Sequence, residues 1–182
     1  GRVNAADTDS DDDGYSDLEE AGADSSAPVD TDQDGLADFV DGDSDDDGLA
    51  DAAEPDGNHD RDSLENRLDP DSDNDRLNDG LEAGITLQTA PAGTDTGSSS
   101  FVPDADPTTV TDPFDADTDD DGLTDNTEDV DLDGVQDATE TDPTSADTDG
   151  DRLQDGTERG RAGSVSIDTD SDVFQPDVDP ST

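Results

Sequence analysis

No cysteine, methionine, tryptophan or lysine occurs in this chain, and histidine and tyrosine occur once each. Without Cys there is no disulfide framework and no thiolate metal site. With a single His as well, zinc and copper chemistry is disfavoured. Without Met the chain lacks an initiator, which implies a processed product or an excised piece; no signal peptide is visible. Aromatic residues make up 3% and all hydrophobic residues 25% of 182 positions, too little apolar surface to offset the entropy of ordering the chain. No apolar run approaches membrane-spanning length. Basic residues are scarce too: seven Arg stand against 57 acidic residues, a net charge of −50. Such a chain is repelled by nucleic acid and by anionic membranes. Composition alone predicts disorder unless a cation supplies the missing stability.

What is present is Asp, 49 copies against eight Glu, and its placement is periodic. Aligned on D-x-D-x-D, eight loops follow one pattern, D-x-D-x-D-G-x-x-D-x-x-E, numbered here from the first Asp. Loop one holds Asp9, Asp11, Asp13, Gly14, Tyr15, Asp17 and Glu20. Loop two holds Asp30, Asp32, Asp34, Leu36, Asp38 and Asp41, and loop three Asp43, Asp45, Asp47, Leu49, Asp51 and Glu54. Loop four is degenerate, with Asn58, Asp60, Asp62, Leu64, Asn66 and Asp69. Loop five has Asp71, Asp73, Asp75, Leu77, Asp79 and Glu82. Loop six has Asp117, Asp119, Asp121, Leu123, Asp125 and Glu128, and loop seven Asp129, Asp131, Asp133, Val135, Asp137 and Glu140. Loop eight has Asp147, Asp149, Asp151, Leu153, Asp155 and Glu158. A ninth start, Asp168, Asp170 and Asp172, lacks the later positions. Six of the eight Glu fall at position 12, and position 7 is always Leu, Val or Tyr. A merely acidic tail has no reason for either bias.

The spacing suits a hard cation. Calcium takes six to eight oxygens at about 2.3–2.6 Å in loose geometry. Carboxylates at 1, 3 and 5 of a tight loop converge on one point, and Gly at 6 allows the turn. Position 7 then offers its carbonyl, position 9 an oxygen directly or through water, and Glu at 12 closes the shell. Magnesium, which keeps its waters and a strict octahedron, fits less well. Asp7, Asp56 and Asp115 precede loops by two residues, as Asp41 and Asp69 do, and are placed to bridge neighbouring ions. Eight ions would leave a charge of about −34, and sixteen about −18, so at least about eight Ca2+ are expected. Arg76, Arg152 and Ser63 replace Gly at position 6, where a non-Gly residue at positive φ costs on the order of 1 kcal/mol. Loop four, neutral at Asn58 and Asn66, is expected to be among the weakest. His59 is expected to face solvent. Position 7 side chains are expected to pack between repeats.

Loop starts lie as little as 12 residues apart, which leaves no room for the flanking helices of EF-hands, and a dockerin would have two loops. The expected fold is therefore a calcium-organised tandem repeat. It consists mostly of irregular loops wrapped around ions, with short helical turns and a few short β-strands, and has no conventional hydrophobic core. Residues 1–82 form one array (loops one to five) and 115–160 a second (loops six to eight). The Ser/Thr/Pro/Gly-rich stretch 83–114 reads as an insertion or linker. Residues 161–182 carry a short strand and the incomplete Asp motif. Ile85–Leu87 and Val165–Ile167 are the candidate strands.

The units DTDSDDDGYSDLEE (7–20), DTDQDGLADFVDGDSDDDGLADAAE (30–54), TDPFDADTDDDGLTDNTEDVDLDGVQDATE (111–140) and TDPTSADTDGDRLQDGTE (141–158) resemble the thrombospondin type 3 repeat. They are most similar to its cysteine-free form in secreted bacterial and archaeal surface proteins. The resemblance covers about two thirds of the chain, 7–82 and 115–158. It implies a chain wrapped around rows of calcium ions, with the carboxylates at 1, 3, 5, 9 and 12 as ligands. It also implies a non-enzymatic, extracellular role in spacing, adhesion or matrix architecture. Partners would be calcium, copies of the chain itself or other surface proteins. A linker or appendage of a larger secreted enzyme or adhesin, and a calcium buffer or mineral nucleator, are the alternatives.

Overall fold

A computed structural model describes residues 8–24 and 26–178; Asp7 lies outside them. Regular structure is confined to single turns. Four are α-helical, α1 (Asp17–Glu20), α2 (Asp79–Glu82), α3 (Asp125–Glu128) and α4 (Asp155–Glu158), and three are 3-10 turns at Asp38–Val40, Asp51–Ala53 and Asn66–Leu68. Each begins at position 9 of a loop, so seven of the eight loops share one plan. An extended residue at position 8 precedes the turn. The turn then brings positions 9 and 12 onto one face, as residues three apart on a helix must lie.

The first half of each loop is a chain of Asx turns. Position 5 accepts the N–H of position 7 in all eight loops, as from Leu77 to Asp75 at 2.7 Å and from Leu123 to Asp121 at 2.7 Å. Position 3 accepts from position 5 in seven of them, as from Asp34 to Asp32 at 2.8 Å, while in loop seven the Asp133 N–H goes to Asp129. These short side chains turn the backbone because they reach it two residues on. Position 4 is left-handed throughout, with φ 68° at Asp12, 62° at Asp46, 61° at Asn74 and 60° at Asp120. Asp and Asn tolerate that region best after Gly, which explains the Asp-Asp-Asp runs: the middle Asp shapes the loop. At position 6, Arg76 and Arg152 stand at φ 90° and 85°, while Ser63 stays out of the left-handed region.

Loops three, five, six and eight form a row through one repeated contact. The position 10 N–H of one loop donates to the position 5 carboxylate of the loop before it. Gly80 bonds Asp47 at 3.0 Å, Asn126 bonds Asp75 at 2.8 Å and Gly156 bonds Asp121 at 2.8 Å. Loop one joins the head of this row, since Asp13 and Glu20 each bring an oxygen within 4.8 Å of one from Asp51.

The segment 83–114 is a strap rather than a loose connection. Thr94 hydrogen-bonds Asp43, the Asp95 N–H donates to Asp46 at 2.6 Å, and Phe101 lies over Gly48. The C-terminal segment repeats this on loop six: Thr169 bonds Asp117, the Asp170 N–H donates to Asp120, and Phe174 lies over Gly122. The parallel runs further. Asn78 donates to the Ser100 carbonyl at 2.8 Å, and Gln154 to that of Val173 at 3.4 Å. Asp75-Arg76-Leu77 and Phe101-Val102-Pro103-Asp104 recur as Asp151-Arg152-Leu153 and Phe174-Gln175-Pro176-Asp177. Residues 71–104 and 147–177 are thus two editions of one unit, a loop followed by a strap.

The expected strands do not form: no strand exists among the described residues. Ile85 spends its N–H on the Gly80 carbonyl at 2.8 Å and its carbonyl on the Asp104 N–H at 2.8 Å, and Thr86–Thr89 is a turn. Val165–Ile167 is bent. In the first strap the backbone groups that a strand pair needs are used locally. Buried hydrophobic side chains among the described residues are Leu77, Leu81, Phe101, Ala116, Leu123 and Phe174. The rest of the described interior is polar and chiefly acidic.

Candidate metal centre

Carboxylates occupy the places where a globular protein puts leucines. Asp43, Asp47 and Asp51 of loop three, Asp79 of loop five, and Asp117, Asp121, Asp125 and Glu128 of loop six are all 0% exposed. Asp45, Asp73, Asp75, Glu20, Glu54 and Glu82 are also buried. Loops two, four, seven and eight are more open.

The hydrogen bonds divide these carboxylates into two kinds. Position 9 is a latch. Its Oδ1 accepts the N–H of position 2, from Ser10 to Asp17 at 2.8 Å, Ser44 to Asp51 at 2.8 Å and Thr118 to Asp125 at 3.0 Å. Its Oδ2 accepts the hydroxyl of the same residue, at 3.0, 2.7 and 2.7 Å in those loops. Its own N–H bonds the carbonyl just before the loop, as from Asp51 to Gly42 at 3.1 Å. Thr31–Asp38 and Thr148–Asp155 repeat the pair, and Asn66 takes the His59 N–H in loop four. In loops one, two, three, six and eight each latch oxygen therefore already has a donor; in loop five the Ser72 N–H reaches Asp79 Oδ1 at 2.8 Å while Asp79 Oδ2 is buried without one. Ser or Thr stands at position 2 in six of eight loops, and that recurrence was the available signal for the latch.

The second kind has oxygens aimed inward with no donor. At position 1 these are Oδ1 of Asp9, Asp30, Asp43, Asn58 and Asp71. At position 3 they are Oδ2 of Asp11, Asp32, Asp45, Asp73 and Asp119. At position 12 they are one oxygen of Glu20 and Glu82 and both of Glu54 and Glu128. Asp9, Asp11 and Asp13 bring oxygens within 4.8 Å of one another, as do Asp30, Asp32 and Asp34, and Asp43, Asp45 and Asp47. Asp60, Asp62 and Asp69 do the same in loop four. Many Asp groups are thus positioned to chelate a metal ion, and the donor set is all hard oxygen.

Burial and mutual repulsion hold these groups toward the protonated form. Burial, then Asp45 and Asp47, pushes the Glu54 carboxyl up to about 11. Burial and Asp119 raise Glu128 to about 9, and burial and Asp75 raise Asp73 to about 9. Glu20 rises to about 8 through burial, Asp13 and Asp11, against the pull of Arg67. Glu82, Asp45 and Asp47 are also raised well above the ordinary carboxylate range, burial again coming first. An unpaired buried charge costs several kcal/mol, and a domain has only about 5–15 kcal/mol of stability. A handful of such groups, all ionised, would exceed it, so without a counter-cation this interior favours protonated carboxyls.

Three positions depart from the pattern. In loop seven, Glu140 bends onto the backbone N–H groups of Val130 and Asp137, at 2.9 and 2.8 Å, and so takes over the latch that Asp137 leaves unmade. Beside it stands Asp104, buried, with Oδ2 unpartnered and close to Asp129 and Asp133. Glu158 of loop eight is exposed. His59 is only half exposed, and its Nε2 lies 3.1 Å from an oxygen of Asp168. The remaining site residues keep their loop places: Asp56 accepts the Tyr15 hydroxyl at 2.9 Å, and Asp115 accepts the Asp117 N–H at 3.4 Å. The incomplete start is engaged within its own chain, as Thr169 and Asp170 show above.

Comparison with family models, with curated proteins and with solved structures finds no match for this chain. No helix among the described residues is long and apolar enough to cross a membrane.

Proposed function

We propose that this chain is an extracellular calcium-binding structural protein, a spacer, adhesin segment or filament subunit whose fold exists only with its ions. The observation that carries the reading is the set of buried oxygens without donors at positions 1, 3 and 12. They recur in loop after loop, on the face that the latch and the Asx turns create. Calcium suits them better than magnesium because the donors are numerous, anionic and irregular in direction. The resemblance to cysteine-free thrombospondin type 3 repeats supports the same reading and the extracellular location. Free calcium in the 10⁻⁴–10⁻³ M range of extracellular modules would fill such sites, whereas cytosolic calcium would not. The paired carboxylates are accounted for by chelation, so the reading assigns no catalysis.

The linker or appendage alternative shares the ions and differs only in what is attached. Buffering or mineral nucleation calls for flexible carboxylates that meet a lattice, and the latched, buried geometry favours discrete sites instead. Calorimetric titration with CaCl2, followed by circular dichroism, tests the proposal. Saturable binding of at least about eight ions with a coincident change in dichroism is expected. Binding without ordering would leave a buffer.

A further inference from the structure

One group of converging oxygens belongs to two loops at once. Asp13 at position 5 and Glu20 at position 12 come from loop one, and Asp51 at position 9 comes from loop three. An oxygen from each lies within 4.8 Å of the other two. Two oxygens that share one calcium ion, each about 2.4 Å from it, can be at most about 4.8 Å apart. Acidic neighbours alone would not make a site; the unmet oxygens point to a ligand. Glu20 is 2% exposed, and its Oε2 is buried without a donor, as is Asp13 Oδ2. The oxygens of Asp51 each take one donor from Ser44 and keep a second lone pair. The cation already at this join does not meet the need. Arg67 stands 3.5 Å from Glu20 Oε1 and 3.4 Å from Glu65, one positive charge among the carboxylates of Asp13, Glu20, Asp51 and Glu65. Burial raises the Asp51 carboxyl to about 6, and Asp13 adds to that across the join.

The next join repeats the same three positions. The Gly80 N–H donates to Asp47 at 3.0 Å and so seats Asp79 against loop three. Glu54, 5% exposed, has both oxygens without a donor, and Asp79 Oδ2 is buried without one as well. On the reading of a calcium-ordered fold, we propose that a calcium ion lies between loops one and three, held by Asp13, Glu20 and Asp51, in addition to the ions inside the loops. A cavity of about 630 Å³ lined by Asp13, Asp51, Glu54 and Arg67 opens beside these residues, which leaves room for waters to complete the shell. Asp47, Glu54 and Asp79 form the same site one step along the row. The position 9 carboxylate thus has two tasks: it latches its own loop, and it ligates an ion shared with the loop before it in the row.

Equilibrium dialysis of the full chain against CaCl2, with bound calcium counted per chain, tests this. Asp51→Asn keeps the latch, because an amide oxygen accepts the position 2 N–H as Asn66 does in loop four. It should nevertheless bind one ion fewer than wild type. Glu20→Gln removes a ligand of the same ion from the other loop, so adding Asp51→Asn to it should release no further ion. An Asp51→Asn chain with the wild-type count, or a double variant that loses one ion more than Glu20→Gln alone, would overturn the proposal. If Asp51→Asn does not order in calcium, wild-type crystals grown in CaCl2 decide the matter. An anomalous calcium peak among Asp13, Glu20 and Asp51 is expected, and filled loops with no peak there would overturn the shared ion. Circular dichroism of wild type on calcium addition reports ordering separately. A chain that orders in calcium but fails these tests rejects the shared ion alone, while a chain that does not order rejects the calcium reading beneath it.

Discussion

Within a loop, each side chain has a separable task, and substitutions should separate them. Glu128→Gln removes one charge and one anionic oxygen from the most enclosed loop. Calorimetry should show about one fewer tight site, with the other loops largely retained. Thr118→Ala removes a hydroxyl that donates to Asp125 at 2.7 Å and should cost about 1 kcal/mol, read as a lower Tm in calcium, with the number of ions unchanged. Protons compete with the ions. A carboxyl whose folded pKa is raised, such as Glu54 at about 11 or Glu128 at about 9, favours the ion-free fold only while protonated. That contribution is full below the unfolded value near 4.5 and is lost as pH climbs toward the folded value. The ion-free chain should therefore be more ordered near pH 4 than at pH 8, and calcium affinity should run the other way. Ion-free dichroism that strengthens as pH rises would contradict this. The clustering of carboxylates at positions 1, 3 and 5 was legible in the sequence because alternate residues of a tight loop converge. Positions 2 and 4 were not read: a Ser or Thr two residues into a loop, or an Asp between two Asp, carries no meaning until its hydrogen bond or its φ is known.

Among the elements, the turns followed from position 9 and position 12, while the straps were hidden. Ser/Thr/Pro/Gly composition reads as a linker, because its contacts are made by single residues such as Thr94 and Phe101 onto loops about 50 positions away. The duplication offered a signal, Arg76-Leu77 and Arg152-Leu153 each followed by a distant Phe-x-Pro-Asp, that the D-x-D-x-D alignment passes over. Ile85-Thr86-Leu87 alternates like a strand, but alternation cannot report that its backbone groups are already claimed. Two substitutions probe this scale. Phe174→Ala empties a buried aromatic site over Gly122 and should cost about 3 kcal/mol of calcium-loaded stability. Gly80→Ala places a Cβ against the Asp47 carbonyl; it should disrupt the join between loops three and five and lower Tm more than the equivalent change at exposed Gly163, which has open space around it.

For the whole molecule, the decisive quantity is the balance between −50 of fixed charge and the ions that offset it. Repeats in a row stabilise their neighbours, and the row is tied at Asp47, Asp75 and Asp121, so loss of ions should propagate along the chain as one transition rather than loop by loop. Small-angle scattering measures that directly. In excess calcium a compact chain of this length has a radius of gyration of roughly 16 Å, and in excess chelator at neutral pH an unfolded one reaches about 45 Å. A large, reversible expansion between these values on removing calcium is the expected result. An unchanged radius in chelator would contradict a fold that its ions hold together.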